Sequence, residues 1–143
     1  MASTRVGGSI LVVDDDEATR IVLRFLLETE GYIVLEAADG QAALDHLRAS
    51  RRRLIVLLDW LLPDLDGTQV MQAALKNGGH ARGIFQPAAH SFLMITATRK
   101  DAADLPPGLS VDIIYKPFNV AGLLARIKAA ATGAVEASPI PNP

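Results

Sequence analysis

The chain contains no cysteine among its 143 residues, which excludes disulfide bonds, thiolate nucleophiles and cysteine-ligated metal sites. Long apolar runs are also missing, since the longest, residues 10–13 and 54–58, are far too short to cross a bilayer. Residues 1–8 lack the apolar centre of a signal peptide, and a net charge of −2 indicates no general affinity for nucleic acid or membranes. We therefore expect a cytoplasmic protein that binds neither nucleic acid nor membranes.

Half of the residues are hydrophobic and 21% are charged, a composition typical of a folded globular domain rather than a disordered chain. A length of 143 residues is enough for one domain with a full core. The predicted boundaries are an N-terminal tail at residues 1–8, one domain at residues 9–132 and a proline-containing C-terminal tail at residues 133–143.

Short apolar segments alternate with segments of helical spacing along this domain. The predicted strands are residues 10–13, 32–35, 54–58, 92–95 and 111–115. The predicted helices are residues 17–30, 40–49, 68–76 and 120–131, with Asp16, Asp39 and Asn119 as their caps where a cap is visible. Such alternation predicts an α/β fold with a parallel sheet covered by helices on both faces.

The first predicted helix has its apolar residues at helical spacing on one side, namely Ile21, Val22, Phe25 and Leu26. This pattern is typical of an amphipathic helix.

Polar residues stand at or just beyond the ends of four predicted strands. They are Asp14, Asp15, Asp59, Thr96 and Lys116. Ligands in folds of this type bind where the carboxyl ends of the strands meet. Taken singly, each aspartate is more often a helix cap, and the lysine is more often a solvated surface residue. Their joint placement at one edge favours a functional site.

Three carboxylates at one edge repel each other unless a cation lies among them. Because these ligands are all oxygens, a hard cation such as Mg²⁺ is the natural occupant. A carboxylate beside Mg²⁺ can attack phosphorus and form an aspartyl phosphate, while a hydroxyl and an ammonium bind the remaining phosphoryl oxygens. Thr96 and Lys116 supply the hydroxyl and the ammonium.

Four motifs resemble those of the receiver domains of two-component signalling, over residues 9–132. They are Ile-Leu-Val-Val-Asp-Asp at 10–15, Leu-Leu-Asp-Trp-Leu-Leu-Pro-Asp-Leu-Asp-Gly at 57–67, Ile-Thr-Ala at 95–97 and Lys-Pro-Phe at 116–118. The resemblance implies a flavodoxin-like, doubly wound sheet of five parallel strands in the order 2-1-3-4-5. It also implies a signalling phosphoacceptor domain rather than an enzyme. We expect a monomer or weak homodimer that is either a receiver standing alone or a piece of a hybrid kinase or a longer regulator.

The same resemblance implies the roles of the site residues. Asp59 would accept a phosphoryl group from a histidine kinase or a histidine phosphotransfer protein, with Thr96 and Lys116 binding that group. The ligands of Mg²⁺, for which Mn²⁺ could substitute, would be Asp14, Asp15, Asp59 and the backbone carbonyl of Leu61. Asp15 would bind the ion directly and Asp14 mainly through water. The peptide bond between Lys116 and Pro117 would be cis, and the downstream target would be another protein.

Three features depart from the family pattern. Ile113 stands where receivers usually carry an aromatic switch residue, three positions before the lysine. Pro106 and Pro107 leave room for only a short or irregular fourth helix, and residues 77–90 read as a long loop. Leu61 cannot orient an attacking water, so we predict slow loss of the phosphoryl group.

Two other readings remain open from the sequence. Asp-Leu-Asp-Gly-Thr at 64–68 matches the nucleophile motif of haloacid-dehalogenase-like phosphatases, with Asp64 as the nucleophile. Alternatively, the chain is a pseudo-receiver, a binding module that keeps the fold without phosphorylation.

Overall fold

The computed structural model describes residues 8–79, 90–97, 102–105 and 111–132. Within them, five strands alternate with four α-helices and one short 3₁₀ helix. The elements are β1 (Ser9–Val13), α1 (Glu17–Thr29), β2 (Ile33–Ala37), α2 (Gly40–Ala49), β3 (Leu54–Asp59), α3 (Gly67–Gly79), β4 (Ser91–Thr96), the 3₁₀ helix (Ala102–Asp104), β5 (Asp112–Tyr115) and α4 (Val120–Thr132). The strands pair in parallel in the order β2-β1-β3-β4-β5, which confirms the predicted flavodoxin-like sheet.

The sheet separates two apolar clusters, because successive side chains of a strand point to opposite faces. Leu23 and Leu27 of α1 and Leu123 and Ile127 of α4 cover one face. Helices α2 and α3 cover the other face with Ala43, Leu44, Leu47, Val70 and Met71. The inner strands β1 and β3 are buried along their whole length, which explains their continuous apolar sequences. No helix in the described part of the chain is both long and apolar enough to span a bilayer.

The predicted caps begin three of the four α-helices. The side chain of Asp16 accepts a hydrogen bond from Thr19 N–H in α1, and that of Asp39 accepts one from Ala42 N–H in α2. Asn119 Oδ1 accepts from the N–H of Gly122 at 2.8 Å in α4. Each cap satisfies a donor that has no partner inside its helix.

The apolar side that helical spacing marks on α1 is not the side that packs against the sheet. The helix buries Leu23 and Leu27, whereas Ile21, Val22 and Phe25 are 57%, 56% and 70% exposed. Two apolar stripes run along this helix, one through positions 23 and 27 and one through positions 21, 22 and 25. Periodicity alone does not say which of two such stripes meets the sheet.

The end of α3 also differs from the sequence prediction. Helix α3 continues to Gly79, so the predicted loop at residues 77–90 begins later, and residues 80–89 lie outside the described residues. Between β4 and β5 the described residues form only the three-residue 3₁₀ helix, which confirms the short fourth helix. The domain limits at residues 9 and 132 remain a prediction, since residues 1–7 and 133–143 are not described.

Two side chains join the elements at the amino end of the sheet. Arg53, just before β3, donates to Ser91 Oγ and to the carbonyl of Ala130 near the end of α4. His90 Nδ1 accepts from the N–H of Leu54 at 3.0 Å, and its Nε2 lies 3.3 Å from the carbonyl of Leu47 in α2. This pair of contacts requires a neutral ring with the proton on Nε2.

Candidate functional site

The carboxyl ends of the strands bring the predicted site residues to one edge. Asp14 follows the last residue of β1, Asp59 and Thr96 end β3 and β4, and Lys116 follows β5. Backbone hydrogen bonds extend the sheet into this rim: Asp14 N–H donates to the carbonyl of Ala37 at 3.1 Å, and Lys116 N–H to that of Thr96 at 2.9 Å. The rim residues are thus held by the rigid sheet rather than by free loops.

Asp14, Asp15 and Asp59 form an acidic cluster in which one ligand oxygen from each residue lies within 4.8 Å of the others. Asp14 and Asp59 are buried, at 4% and 9% exposure, while Asp15 faces solvent. Backbone donors orient the two buried carboxylates: the N–H of Asp16 lies 2.9 Å from Asp14 Oδ1, and that of Leu61 lies 3.3 Å from Asp59 Oδ1. The second oxygen of each buried carboxylate faces Lys116.

Lys116 bridges the two buried carboxylates. Its Nζ lies 3.1 Å from Asp14 Oδ2 and 3.4 Å from Asp59 Oδ2. The peptide bond between Lys116 and Pro117 is cis, as the resemblance implied. The ammonium therefore offsets part of the negative charge that the acidic cluster concentrates at this edge.

The electrostatics of the pair follow from burial and proximity. Burial raises the pKa of Asp59 above its ordinary value; the positive charge of Lys116 opposes this and the charge of Asp14 adds to it. Burial acts to lower the pKa of Lys116, but its hydrogen bond to Asp14 and the charge of Asp59 outweigh burial and raise it. The lysine is therefore a fixed cation at neutral pH. Any further positive charge nearby would stabilise the ionised form of Asp59.

Thr96 is almost fully buried, at 1% exposure, on the strand next to Asp59. Asp59 pairs with Ile95 in the parallel register, and the N–H of Trp60 donates to the carbonyl of Ile95 at 2.9 Å. Ile95 is thus the direct neighbour of Asp59 on the next strand, and Thr96 comes one residue after it.

Position 113 of β5, the switch position of the sequence analysis, carries no aromatic side chain. Ile113 is partly buried and packs against the cluster under α2 and α3, while Tyr115 is 47% exposed at the edge strand. Tyr115 pairs in register with Thr96. The aromatic residue of β5 therefore lies directly across from that threonine, two residues after the switch position 113.

The Asp-Leu-Asp-Gly-Thr segment holds two helix caps instead of a strand-end nucleophile. Asp66 Oδ1 accepts from the N–H of Thr68 and of Gln69 at the start of α3, and Gln69 Oε1 accepts in return from Asp66 N–H at 2.9 Å. Asp64 caps α2 through the N–H groups of Gly40 and Gln41, and the Gly40 N–H holds the pKa of Asp64 below its ordinary value. Both carboxylates of the motif therefore have structural partners.

Sequence reasoning missed Arg20, which supports the site from α1. Its Nη1 donates to the backbone carbonyl of Asp14 at 2.7 Å, and its Nε pairs with Glu36 of β2 at 3.0 Å. No spacing signal could have shown this contact, because Glu36 comes from the next strand along the chain.

The donor set fits a hard divalent cation such as Mg²⁺ or Mn²⁺. All the clustered ligand atoms are carboxylate oxygens, and one of the three carboxylates remains open to solvent, where an ion keeps its waters.

Comparisons with known proteins agree with this geometry. The family model of the response regulator receiver domain matches residues 10–128. The response regulator MprA of Mycolicibacterium vanbaalenii is 40% identical over 123 residues, and the alkaline phosphatase synthesis transcriptional regulatory protein PhoP of Bacillus subtilis is 37% identical over 123 residues. Each match covers 84% of this chain but only 48% and 47% of the relative, so the chain spans about half the length of these proteins.

Solved structures show the same architecture. The CheY-like receiver domain protein of Methanospirillum hungatei superposes with a TM-score of 0.74 at 26% identity, covering 94% of this chain and all of that one. The response regulator TrrA of Thermotoga maritima, solved in complex with Mg²⁺-BeF, superposes with a TM-score of 0.70 at 26% identity, covering 85% and 96%.

Proposed function

Because the chain belongs to the response regulator receiver domain family of two-component signalling, we propose that Asp59 is its phosphoacceptor. The observation that carries this proposal is the acidic cluster of Asp14, Asp15 and Asp59 at the carboxyl ends of the strands, bridged by Lys116. Asp59 is the member of the cluster that both ends the central strand β3 and contacts Lys116. A phosphoryl group on it would lie at the centre of the rim.

The phosphoryl donor is a histidine kinase or a histidine phosphotransfer protein. A carboxylate oxygen of Asp59 forms a bond to phosphorus while the bond from phosphorus to the donor's histidine nitrogen breaks, and that nitrogen keeps the electron pair. The transferred group carries negative charge on its outer oxygens. Lys116 supplies a cation to one of these oxygens, and the hydroxyl of Thr96 donates to another.

A divalent cation completes the site. Asp14, Asp15, Asp59 and the backbone carbonyl of Leu61 would hold Mg²⁺ or Mn²⁺, with Asp15 in direct contact and Asp14 mainly through water. The bound ion would offset the charge on the phosphoryl oxygens. This chemistry makes the domain a signalling phosphoacceptor that assists its own phosphorylation and dephosphorylation.

An exposed apolar surface of this domain, here called the donor surface, lies beside the site and is available to the phosphoryl donor. Val22 of α1 lines an open cavity together with Lys116, Pro117 and Phe118, and Phe25 lies one turn further along the same helix, 70% exposed. An apolar surface next to the reacting group suits a protein donor, which buries it on docking. The output then passes to another protein through contacts on this domain.

Mass spectrometry after incubation with acetyl phosphate and MgCl₂ tests the proposal. We expect a mass gain of one phosphoryl group in the wild-type chain and none in Asp59→Asn. Asp45→Asn serves as the matched control, since Asp45 is an exposed carboxylate on α2 that accepts a hydrogen bond from Gln41 Nε2 and lies outside the acidic cluster. A wild-type chain without the mass gain would support a pseudo-receiver, and a gain that persists in Asp59→Asn would place the acceptor elsewhere.

The lifetime of the phosphoryl group is a separate expectation. The side chain of Leu61 is 54% exposed beside Asp59 and offers no polar atom to an attacking water. We expect Leu61→Asn to shorten the half-life of the phosphorylated chain, measured by intact-mass spectrometry after the phosphodonor is removed. Wild-type loss within seconds would contradict this reasoning.

A further inference from the structure

The loop between β3 and α3 is attached to the first turn of α2 by Asp64. Asp64 Oδ1 lies 2.7 Å from the N–H of Gly40, and Asp64 Oδ2 lies 2.9 Å from the N–H of Gln41. The N–H of Leu65 also donates to Oδ1, at 2.8 Å. The first N–H groups of a helix have no acceptor inside it. One carboxylate from a segment 24 residues away therefore satisfies two of them.

The same two segments are also in close apolar contact. A Cβ atom at Gly40 would lie 2.8 Å from the Cβ of Leu65 and 3.0 Å from Val70 Cγ2 of α3. Only glycine allows this approach of the helix start to the loop. The carboxylate contact and the glycine contact fix the tip of the loop in the same place.

The other end of the loop is closed at the phosphorylation site. The N–H of Gly67 donates to the carbonyl of Trp60 at 2.7 Å, and a Cβ atom at Gly67 would lie 3.0 Å from the carbonyl oxygen of Asp59. Leu61 lies between these two anchored points. Because its side chain is 54% exposed, its own packing contributes little to its position.

We propose that Asp64 is a positioning residue for the cation site. By holding the loop tip on α2, Asp64 fixes the backbone of Leu61. The carbonyl of Leu61 is a cation ligand in the function proposed above, and this inference rests on that proposal. The residue touches neither the ion nor the phosphoryl group. Groups that orient metal ligands typically change metal affinity by about 10- to 100-fold when removed.

Three variants separate this role from simple helix capping. Asp64→Ala removes the attachment of the loop to α2. Asp64→Asn keeps one acceptor oxygen for the two helix donors, so it restores part of the attachment. Asp39→Ala is the matched control, since Asp39 caps the same helix through the N–H of Ala42 at 2.8 Å but belongs to the segment that precedes α2 rather than to the loop.

The experiment is a titration of the full chain with MgCl₂ by isothermal calorimetry, with thermal unfolding in EDTA as a check that each variant is folded. We expect Asp64→Ala to raise the Kd for Mg²⁺ by about tenfold, with Asp64→Asn in between and Asp39→Ala unchanged. Asp64→Ala and Asp39→Ala should both lower Tm in EDTA. Equal Kd values for Asp64→Ala and the wild type, or an equal loss in Asp39→Ala, would overturn the inference alone. A wild-type chain that binds no Mg²⁺ would overturn the proposed cation site as well.

Discussion

Two glycines near helix starts are expected to respond to alanine with opposite signs. Gly40 begins α2 and Gly122 is the third residue of α4. A Cβ at Gly40 would lie 2.8 Å from Leu65 Cβ, an atom fixed to its backbone, so the side chain cannot rotate away. At Gly122 the nearest atom would be Asn119 Oδ1 at 3.6 Å, which is an ordinary contact. Steric conflict therefore exists at Gly40 and not at Gly122.

The magnitudes follow from these contacts. Overpacking costs about 1–3 kcal/mol, and alanine gains up to about 1 kcal/mol over glycine in a helix. Gly40→Ala should lower the free energy of unfolding by about 1 kcal/mol, whereas Gly122→Ala should raise it by up to about 1 kcal/mol. For a domain of this size, 1 kcal/mol corresponds to a shift in Tm of roughly 3 °C.

Urea denaturation followed by far-UV circular dichroism measures both changes. Equal m-values across the wild type and the two variants would show that the comparison concerns the folded state. The reasoning is refuted if Gly40→Ala is as stable as the wild type, or if both variants shift in the same direction.

Three other substitutions address the site, the donor surface and the amino end of the sheet. Lys116→Met leaves two buried carboxylates without their ammonium, so we expect the free energy of unfolding in EDTA to fall by about 3 kcal/mol. In urea titrations MgCl₂ should restore part of this loss. A midpoint in EDTA equal to that of the wild type would contradict this. Phe25→Ser should slow phosphorylation by a protein donor but not by acetyl phosphate, and equal slowing of both reactions would argue against a docking role. Burial lowers the pKa of His90 below its ordinary value of 6.5, so the unfolded chain binds the proton first and stability is lost as pH falls below that value. His90→Gln should flatten that pH dependence in urea denaturation, and an unchanged slope would assign it to other groups.

The parallel sheet and the residues of the rim could be predicted because each rests on a local pattern, whereas the strand order came only from the resemblance to receiver domains. Apolar strands that end in Asp14, Asp59 and Thr96 are visible in the sequence, and the carboxyl ends of parallel strands share an edge. The packing face of α1 could not be predicted, since two apolar stripes compete and only the tertiary structure decides between them. In the structure Leu23 and Leu27 are buried against the sheet, and Phe25 is exposed.

The attachment of the loop to α2 was beyond sequence reasoning for a different reason. Asp64 and Gly40 are separated by 24 residues, and their contact depends on how the loop after β3 bends. The sequence offered Asp64 as a possible nucleophile because a motif names residue types without their surroundings. The same limit applies to His90, whose partners Leu47 and Leu54 belong to α2 and β3.

The contacts of Arg53 and His90 lie at the opposite end of the strands from Asp59. Strand β3 has six residues, so about 17 Å separates its two ends. Substitutions at this distance without shared partners usually have additive effects. Thermal robustness and phosphoryl chemistry can therefore be tuned independently in this domain, the first from the amino end of the sheet and the second from its carboxyl end.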